Sequence, residues 1–396
     1  MTSASAVDTA AFDQLLNQIA PRFPRREPRA QAARYLEGLL AGPLRKNGWT
    51  LARHAGAGSP DGMQRLLRTA GWDVDGLRDD VRAEVLTTLG DADGVWILDE
   101  AGFLKKGDHS AGVERQYLRS TKSIQNCQVG VFLAYASANG EDLVDRALYL
   151  PKSWTDDDVR RRRAGIPASV EFLTKPQLAL QMLGRVHAAG QLHGWVSADK
   201  TYGSHPFVRN WLGDRKIPFV MATNNDDFVT TSSRQRRRAE ELAADVLGGD
   251  IPQRQSSRRC SIDAGPYRGQ LFDWSVVELL TPPSADFAHW MLIRQQTAPS
   301  EGMHHRKIAC YLCSGPPNTG VDHLISVAAA RWRSETCFEA ARLTCGLDDY
   351  QVRDWRAWHA HITLAMLAAG HLTRLSAGIV TSARPTELDT PNPPSE

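Results

Sequence analysis

Apolar residues in the N-terminal part of the chain recur at the three- and four-residue spacing of amphipathic helices. Prolines at positions 21, 24 and 28 and the glycine-rich segment Gly56–Gly62 interrupt this pattern. Arginines between positions 22 and 45 make the same part basic, which is typical of a DNA-contacting module and also of a solvated helical surface. The spacing predicts short helices over Ala11–Ile19, Ala30–Leu40, Met63–Ala70 and Val81–Leu89.

From Gly94 onward the pattern changes to consecutive apolar residues over runs of strand length. The predicted order is three strands, a helix, a strand, a helix and a strand: Gly94–Asp99, Gln125–Ser137, Asp142–Leu150, Lys175–Ala189, Gly194–Asp199, Pro206–Gly213 and Pro218–Thr223. This is the order of a ribonuclease-H-like sheet. We therefore predict an α/β fold in which a ribonuclease-H-like mixed sheet is flanked by helices.

A later segment with β-type composition interrupts this sheet. Its predicted strands are Gln270–Leu279, His289–Gln295 and Lys307–Ser314, and they follow a charge run, Arg234–Arg238. Because Glu240 and Glu241 come directly after that run, a mixed-charge helix is favoured there over a DNA-tracking strip. The predicted units are an N-terminal helical domain over 1–92, a sheet core over 93–223, an inserted β-rich subdomain over 224–320, core helices over 321–378, and a disordered, proline-rich tail over 379–396.

Composition and charge narrow the class of protein. With 42% hydrophobic and 23% charged residues, the chain has the composition of a folded globular protein. The net charge of +2 means that a polyanion site must come from local clustering. The longest apolar stretch, Ile362–Leu372, is too short to cross a bilayer, and no secretory signal is recognisable, so we expect a cytoplasmic protein with no membrane partner. The pair Cys310 and Cys313 lies in a predicted strand, which favours core packing over half a zinc site.

Three acidic residues are the candidates for chemistry. Asp99 and Asp199 each end an apolar run, and strands of an open α/β sheet deliver ligand-binding groups at their carboxyl ends. A carboxylate in that position is costly unless it is paired or metal-bound. Glu335 lies in a predicted helical segment, Arg331–Arg342. Three converging carboxylates would suit Mg²⁺ or Mn²⁺ and, through the metal, phosphoryl transfer.

Alternatives to each acid stay open on spacing alone. Glu100 also follows the first strand, but alternation sends adjacent side chains to opposite faces. Glu339 lies four residues after Glu335 on the same helix face, so spacing does not choose between them. For Asp99 and Asp199, the alternative role is a cap of the following turn.

Eight stretches of sequence surround or connect these acids. They are Trp96–Phe103, Arg115–Tyr117 with Asn126–Val131, Leu150–Trp154, Ala198–Gly203, Arg331–Phe338, Gly346–Trp355 and Trp358–Leu364. Together they resemble the IS701 family of insertion-sequence transposases, a DDE group related to the IS4-type enzymes. The resemblance extends from Phe12 to Leu372.

The resemblance implies a function and a site. Asp99, Asp199 and Glu335 correspond to the first, second and third acids of the DDE triad and would bind two Mg²⁺ or Mn²⁺ ions. The implied activity is cleavage of transposon ends and joining of their 3′-OH to target DNA. Transposon-end and target double-stranded DNA are the implied partners, and a homodimer would hold two ends in the synaptic complex. The rival readings are a DDE-type nuclease without strand transfer and a domesticated DNA-binding derivative.

The related IS4-type signature is Tyr, two residues, Arg, three residues, Glu, six residues, Lys. Arg331 and Glu335 match it, Arg342 replaces the lysine, and Ala328 replaces the tyrosine. Positions i, i+4 and i+11 of one helix lie close to one face, where the two arginines would contact DNA phosphates beside the glutamate. Arginine keeps the charge of lysine but changes the geometry of the contact.

Further DNA contacts are expected from basic residues elsewhere. Lys105 and Lys106 follow Asp99 closely, and a contact with the scissile backbone is open for them at even odds. Arg160 and Arg161 belong to a run of four arginines, for which a solvated face is slightly favoured over phosphate contact. Packing is favoured over base stacking or metal ligation for five other motif residues, Trp332, Trp355, Trp358, His359 and His361. For Asn126 and Gln128, orientation of the acids and a structural hydrogen bond are equally open.

Overall fold

The structure is a computed structural model that describes residues 9–118, 121–249, 258–261, 269–281, 286–297 and 307–382. The proline-rich tail that was predicted to be disordered lies, from residue 383 on, outside the described residues.

Helices form the N-terminal part, as the spacing predicts. They are α1 Thr9–Ile19, α2 Arg26–Ala41, α3 Gly48–His54, α4 Asp61–Arg68 and α5 Val74–Leu89, with a 3₁₀ turn at Ala20–Arg22. The prediction missed α3, which begins with a capping box. In it Asn47 accepts from the N–H groups of Trp49 and Thr50, and Thr50 accepts from the N–H of Asn47. This local signal is readable from sequence, although seven residues are too few for a clear periodicity.

A mixed sheet forms the centre of the molecule. Its first strands are β1 Val95–Leu104, β2 Glu114–Leu118, β3 Ser123–Ser137, β4 Gly140–Tyr149, β5 Trp195–Ala198 and β6 Phe219–Ala222. They lie in the order β4, β3, β1, β5, β6, and β2 pairs with the N-terminal end of β3, at Ser123–Cys127. β1, β5 and β6 are parallel, whereas β1, β3 and β4 are antiparallel. The predicted mixed α/β fold is confirmed.

Helices cover both faces of this sheet. They are α6 Lys152–Thr155, α7 Asp158–Arg163, α8 Lys175–Ala188, α9 Lys200–Gly203, α10 Pro206–Asp214, α12 Val321–Ala330, α13 Arg333–Cys345 and α14 Trp355–Ser382. On one face Phe132 of β3 packs against Phe338 of α13 and Trp358 of α14. One continuous core connects the N-terminal helices, the sheet and α14. None of the helices in the described segments combines the length and the hydropathy needed to span a bilayer.

The β-rich segment continues the same sheet. It contains β7 Phe228–Thr230, β8 Arg236–Arg238, α11 Ala239–Gly248, β9 Arg258–Ser261, β10 Leu271–Glu278, β11 Ala288–Gln296 and β12 Ile308–Gly315. Because β12 pairs antiparallel with β6, the sheet reaches ten strands among the described residues. The mixed-charge helix predicted for Arg234–Arg238 is wrong. Those residues form a turn and β8, and α11 begins only at Ala239, where Glu241 accepts from the N–H of Arg238.

Candidate active site

Asp99 lies inside a strand that is longer than predicted. The expectation that the strand ends at Asp99 is wrong, because β3 continues to pair with β1 as far as Leu104. The parallel neighbour β5, however, stops at Ala198, which pairs with Leu98. Asp99 is therefore the first residue of β1 beyond the end of β5, and one edge of β1 is open from this point on.

Asp199 directly follows β5. The parallel register of Leu98 with Ala198 sets the two aspartates next to one another at the carboxyl edge of neighbouring strands, which lie about 4.8 Å apart. Asp199 is also the N-cap of α9, since its Oδ1 accepts from the N–H of Thr201 at 2.8 Å. Asp199 therefore does cap the following helix, and its carboxylate stays at the sheet edge while it does so.

The helix that carries the third acid reaches Asp99 through its first turn. Ser334 Oγ lies 2.6 Å from Asp99 Oδ2, and Ser334 is fully buried. Glu335 is the next residue and is exposed at the start of α13. Glu339 is also exposed but lies one turn, about 6 Å, further along the helix axis. The contact therefore brings the turn of Glu335, rather than that of Glu339, close to the first acid.

The predicted continuous helix from Arg331 to Arg342 is interrupted. α12 ends at Ala330, and the N–H of Trp332 donates to the carbonyl of Ala329 at 3.1 Å in a tight turn. Arg331 keeps a helical backbone conformation in this turn, but it belongs to neither helix. Arg342 lies two turns after Glu335 on α13, with its Nε 3.7 Å from an Asp348 carboxylate oxygen. A shared helical face therefore holds for Glu335 and Arg342 only.

Two neighbouring buried carboxylates define the electrostatics of the site. Asp99 is 8% exposed and Asp199 is 3% exposed. Asp99 accepts from its own neighbour, the N–H of Glu100, and from Ser334, and among the described residues it has no cationic partner. Adjacent buried carboxylates repel one another unless a cation lies between them. Their oxygen donors fit a divalent ion such as Mg²⁺ or Mn²⁺.

In this conformation Glu335 does not complete a three-carboxylate metal site with Asp99 and Asp199. Across the described segments, no three histidine, cysteine or acidic side chains converge as a ready-made metal cage. The fit to a divalent cation therefore rests on the pair Asp99 and Asp199, with Glu335 one residue from the contact between Ser334 and Asp99.

Glu100 points away from this site. Its carboxylate pairs with the Nζ of Lys175 on α8 at 2.8 Å, on the opposite face of the sheet from α13. Strand alternation separates Asp99 and Glu100 as the sequence predicts.

The two lysines after β1 are remote from the acids. Six residues of extended strand separate Lys105 from Asp99, which corresponds to about 20 Å. The ammonium of Lys105 lies 3.6 Å from the centre of the Tyr350 ring, and burial lowers the pKa of Lys105 to about 8. Lys106 is exposed. The structure does not bring either lysine to the acid site.

Arg160 and Arg161 make hydrogen bonds to backbone carbonyls of their own chain. On α7, the guanidinium of Arg160 donates to the carbonyls of Asp108 and Val113 and lies 3.7 Å from the centre of the Trp154 ring. Arg161 donates to carbonyls of the loop after α7, at Pro167, Ala168 and Val170. These contacts hold that loop in place.

The remaining polar candidates of the motifs have structural partners. Gln128 donates to the carbonyl of Ala111 and accepts from the hydroxyl of Tyr350. Trp332 and Trp358 are buried. Further contacts are internal: Asn126 to the carbonyls of Lys105 and Gly107, His359 to that of Trp355, and His361 to the hydroxyl of Tyr35 and the carbonyl of Gly346.

Cys310 and Cys313 are buried in β12, as expected for core packing. Burial raises the pKa of the Cys310 thiol to about 12, and it also raises the pKa of Cys313. Both thiols therefore keep their protons at neutral pH.

Two residues near the site have no assigned role in the sequence-based prediction. Ser334 lies next to Glu335, and only a structure reveals that it reaches Asp99. Arg294 of β11 lies with its guanidinium 4.8 Å from the centre of the Trp332 ring and 4.6 Å from that of Phe272. No local sequence pattern predicts this stacking, because it joins β11 to the turn between α12 and α13, which are distant in the chain.

Two concave clefts occur elsewhere on the molecule. One, of about 600 Å³, lies between Trp49, Trp154 and Arg163, and the other, of about 740 Å³, lies between Trp72, Arg146 and Trp355. Neither is lined by any of the three acids. The sheet edge at Asp99 and Asp199 therefore remains the candidate site.

Comparisons with known proteins agree with this assignment. Residues 18–256, more than half of the chain, match the family described as DDE superfamily endonuclease. The matched segment contains Asp99 and Asp199 and ends before Glu335. A protein of Microchaete diplosiphon named "Probable transposase for insertion sequence element IS701" is 28% identical over 175 residues, which are 44% of this chain and 43% of that protein. The match therefore spans less than half of that relative. Together, the two comparisons confirm the predicted resemblance to IS701-type DDE transposases.

Proposed function

Because the chain belongs to the DDE superfamily of endonucleases, we propose that it is a DNA transposase that cleaves transposon ends and joins their 3′-OH groups to target DNA. The observation that carries this proposal is the pair of buried carboxylates, Asp99 and Asp199, at the carboxyl edge of two parallel strands. The IS701 name of the relative supports the choice of a transposase within the superfamily.

The three acids have distinct positions in the proposed site. Asp99 and Asp199 present carboxylate oxygens from neighbouring strands, and Glu335 approaches from the first turn of α13. Endonucleases of this superfamily depend on divalent metal ions, and we propose that the three side chains hold two of them, Mg²⁺ or Mn²⁺. Such ions would supply activation of a water or a DNA 3′-OH and stabilisation of the leaving oxygen.

Cationic side chains near the acids are the proposed DNA contacts. Arg331 lies in the turn before α13, and Arg342 lies two turns after Glu335 and is partly exposed. Lys105, Arg160 and Arg161 already contact carbonyls of their own chain, so the proposal gives them no primary role. The proposed partners are double-stranded transposon-end and target DNA. Because two ends must be held together, we propose a homodimer in the synaptic complex.

A nuclease that cuts without joining strands is the second candidate. Ala328, at the position of the signature tyrosine, is fully buried in α12. This position therefore offers no hydroxyl that could hold a cleaved end for the joining step.

A strand-transfer assay separates these candidates. A labelled duplex that carries the terminal repeats flanking the gene is mixed with a plasmid target, purified protein and Mg²⁺. We expect the wild-type protein to cleave and join the duplex, and Asp99→Ala, Asp199→Ala and Glu335→Ala each to abolish both steps. Glu339→Ala is the matched control on the same helix.

The outcomes differ for each part of the proposal. Cleavage without joined product would favour the nuclease. Activity that survives Glu335→Ala but not Glu339→Ala would overturn the choice of the third acid. Specific DNA binding without any cleavage in Mg²⁺ or Mn²⁺ would favour a domesticated DNA-binding derivative.

A further inference from the structure

Ser334 joins the helix of the third acid to the strand of the first. Its Oγ lies 2.6 Å from Asp99 Oδ2 and 2.7 Å from the carbonyl oxygen of Arg331. The serine side chain is fully buried, so water does not compete for either contact. It is the residue of α13 through which that helix makes its hydrogen bond to Asp99.

The two contacts of Ser334 differ in what they achieve. A hydroxyl has one hydrogen, and both neighbours are acceptors, so Ser334 donates to one of them at a time. The contact to Arg331 is a local bond three residues back, which any serine at a helix start can make. The contact to Asp99 connects segments that are far apart in the chain and requires the native packing of α13 on β1.

Both oxygens of the Asp99 carboxylate are held. Oδ1 accepts from the N–H of Glu100 at 2.8 Å, and Oδ2 faces Ser334. The terminal torsion of an aspartate is otherwise broad, so a second contact narrows the orientation of the carboxylate plane. The lone pairs that remain are the ones available to a cation at the carboxyl edge of the sheet.

We propose that Ser334 is a positioning residue for Asp99. It fixes the carboxylate in the orientation required for a divalent cation, and it ties the first turn of α13, with Glu335, to the carboxyl edge of the sheet. This inference rests on the proposed function, in which Asp99 is a metal ligand. Outer contacts of this kind typically change metal affinity 10- to 100-fold.

Metal binding by the full chain, measured without DNA, tests the proposal. Mn²⁺ affinity is measured by titration calorimetry and by the electron paramagnetic resonance signal of free Mn²⁺. We expect Ser334→Ala to weaken Mn²⁺ binding about tenfold. Ser334→Cys keeps the volume of the buried side chain and is only a weak donor, so it is expected to weaken binding as well while protecting the fold.

Ser326→Ala is the matched control. Ser326 makes the same local bond, to the carbonyl of His323 at 2.8 Å, on the neighbouring helix α12, but it is exposed, and no acid within the described segments accepts from its hydroxyl. Its loss is expected to leave Mn²⁺ affinity within about twofold of wild type. Thermal unfolding of each variant verifies that the chain is folded.

Three results would overturn the proposal. Mn²⁺ binding of wild-type strength in the folded Ser334 variants, with binding lost in Asp99→Ala, would overturn the positioning role and leave the metal site intact. Mn²⁺ binding of wild-type strength in Asp99→Ala would overturn the metal site itself and the role of Ser334 with it. Equal weakening by Ser326→Ala and Ser334→Ala would show that only the local helix bond matters.

Discussion

The buried ammonium group of Lys46 donates to the carbonyl oxygen of Thr344, in the last turn of the helix that carries Glu335. The same group donates to the carbonyl of Leu39 near the end of α2. Lys46 therefore satisfies carbonyls at the C-terminal ends of two helices, where a cation is favoured. With Ser334 at its start and Lys46 at its end, α13 is fixed to both the sheet and the N-terminal helices.

Lys46→Met tests this second attachment. Methionine keeps the aliphatic length but removes the donors, which leaves two carbonyls without this partner. Burial lowers the pKa of Lys46, so the substitution also relieves a desolvation cost. We therefore expect a net loss of about 1 kcal/mol in the free energy of unfolding, at the low end for unsatisfied buried acceptors. Urea denaturation measures it, with exposed Lys152→Met as the control, and equal stabilities of the two variants would contradict the attachment.

Asp99 and Glu100 offer an internal comparison of two adjacent acids. They face opposite sides of the sheet, towards Ser334 and Lys175 respectively. We expect Asp99→Asn to reduce DNA cleavage by at least about a hundredfold, the scale of one lost electrostatic contact in an active site. Glu100→Gln is expected to keep cleavage and to lose about 1 to 3 kcal/mol of stability, because Lys175 is left without its partner in a largely buried pair. A larger loss of cleavage in Glu100→Gln than in Asp99→Asn would reverse the assignment.

Salt dependence distinguishes DNA contacts from structural arginines. If Arg331 and Arg342 each contact a phosphate, Arg331→Gln and Arg342→Gln should weaken duplex binding and reduce the slope of log affinity against log salt by about one each. Arg160→Gln and Arg161→Gln should instead lower the melting temperature, because these side chains donate to the carbonyls of Val113 and Val170. Fluorescence anisotropy at several salt concentrations measures the slope. If only Arg160→Gln reduces the slope, the phosphate contact lies on α7 and not at Arg331 or Arg342.

Local patterns predicted the sheet because most of its strands are consecutive apolar runs. They failed where pairing partners determine the length of an element. β1 continues through Asp99 to Leu104 because β3 pairs with it there, and no residue of β1 itself signals this. The short strand Glu114–Leu118 was missed for the same reason, since its exposed positions resemble a loop until it pairs with β3.

The adjacency of the two aspartates was predicted more reliably than their surroundings. Asp99 and Asp199 follow from the rule that carboxyl ends of parallel strands meet at one edge. The roles proposed for basic residues assumed that residues close to an acid in sequence are also close to it in space. This assumption is wrong for Lys105, because an extended strand carries it about 20 Å from Asp99. Ser334 was missed because its partner is distant in the chain, and sequence spacing carries no information about such a contact.

The pH dependence of stability tests whether Asp142 is buried under α13 and α14. It is 3% exposed on β4, and burial raises the pKa of its carboxyl to about 7, with the nearby Glu141 adding a smaller effect in the same direction. In the unfolded chain this carboxyl titrates near 3.8. Between these values the folded state binds more protons than the unfolded state. The free energy of unfolding contributed by Asp142 is therefore fully present below about pH 4 and is lost as the pH rises to 7.

Asp142→Asn removes this titration and keeps an oxygen that can accept from the N–H of Leu143, as Asp142 does at 2.7 Å. Between pH 5 and 7, we expect wild type to lose stability relative to Asp142→Asn by up to about 1.4 kcal/mol per pH unit. Urea denaturation at pH 5, 6, 7 and 8 measures the difference. Glu141→Gln, which instead breaks the pair with Arg333, is the control for a neighbouring charge. Parallel stability curves for wild type and Asp142→Asn would mean that the carboxyl is already ionised at pH 5, and that α13 and α14 leave it open to water.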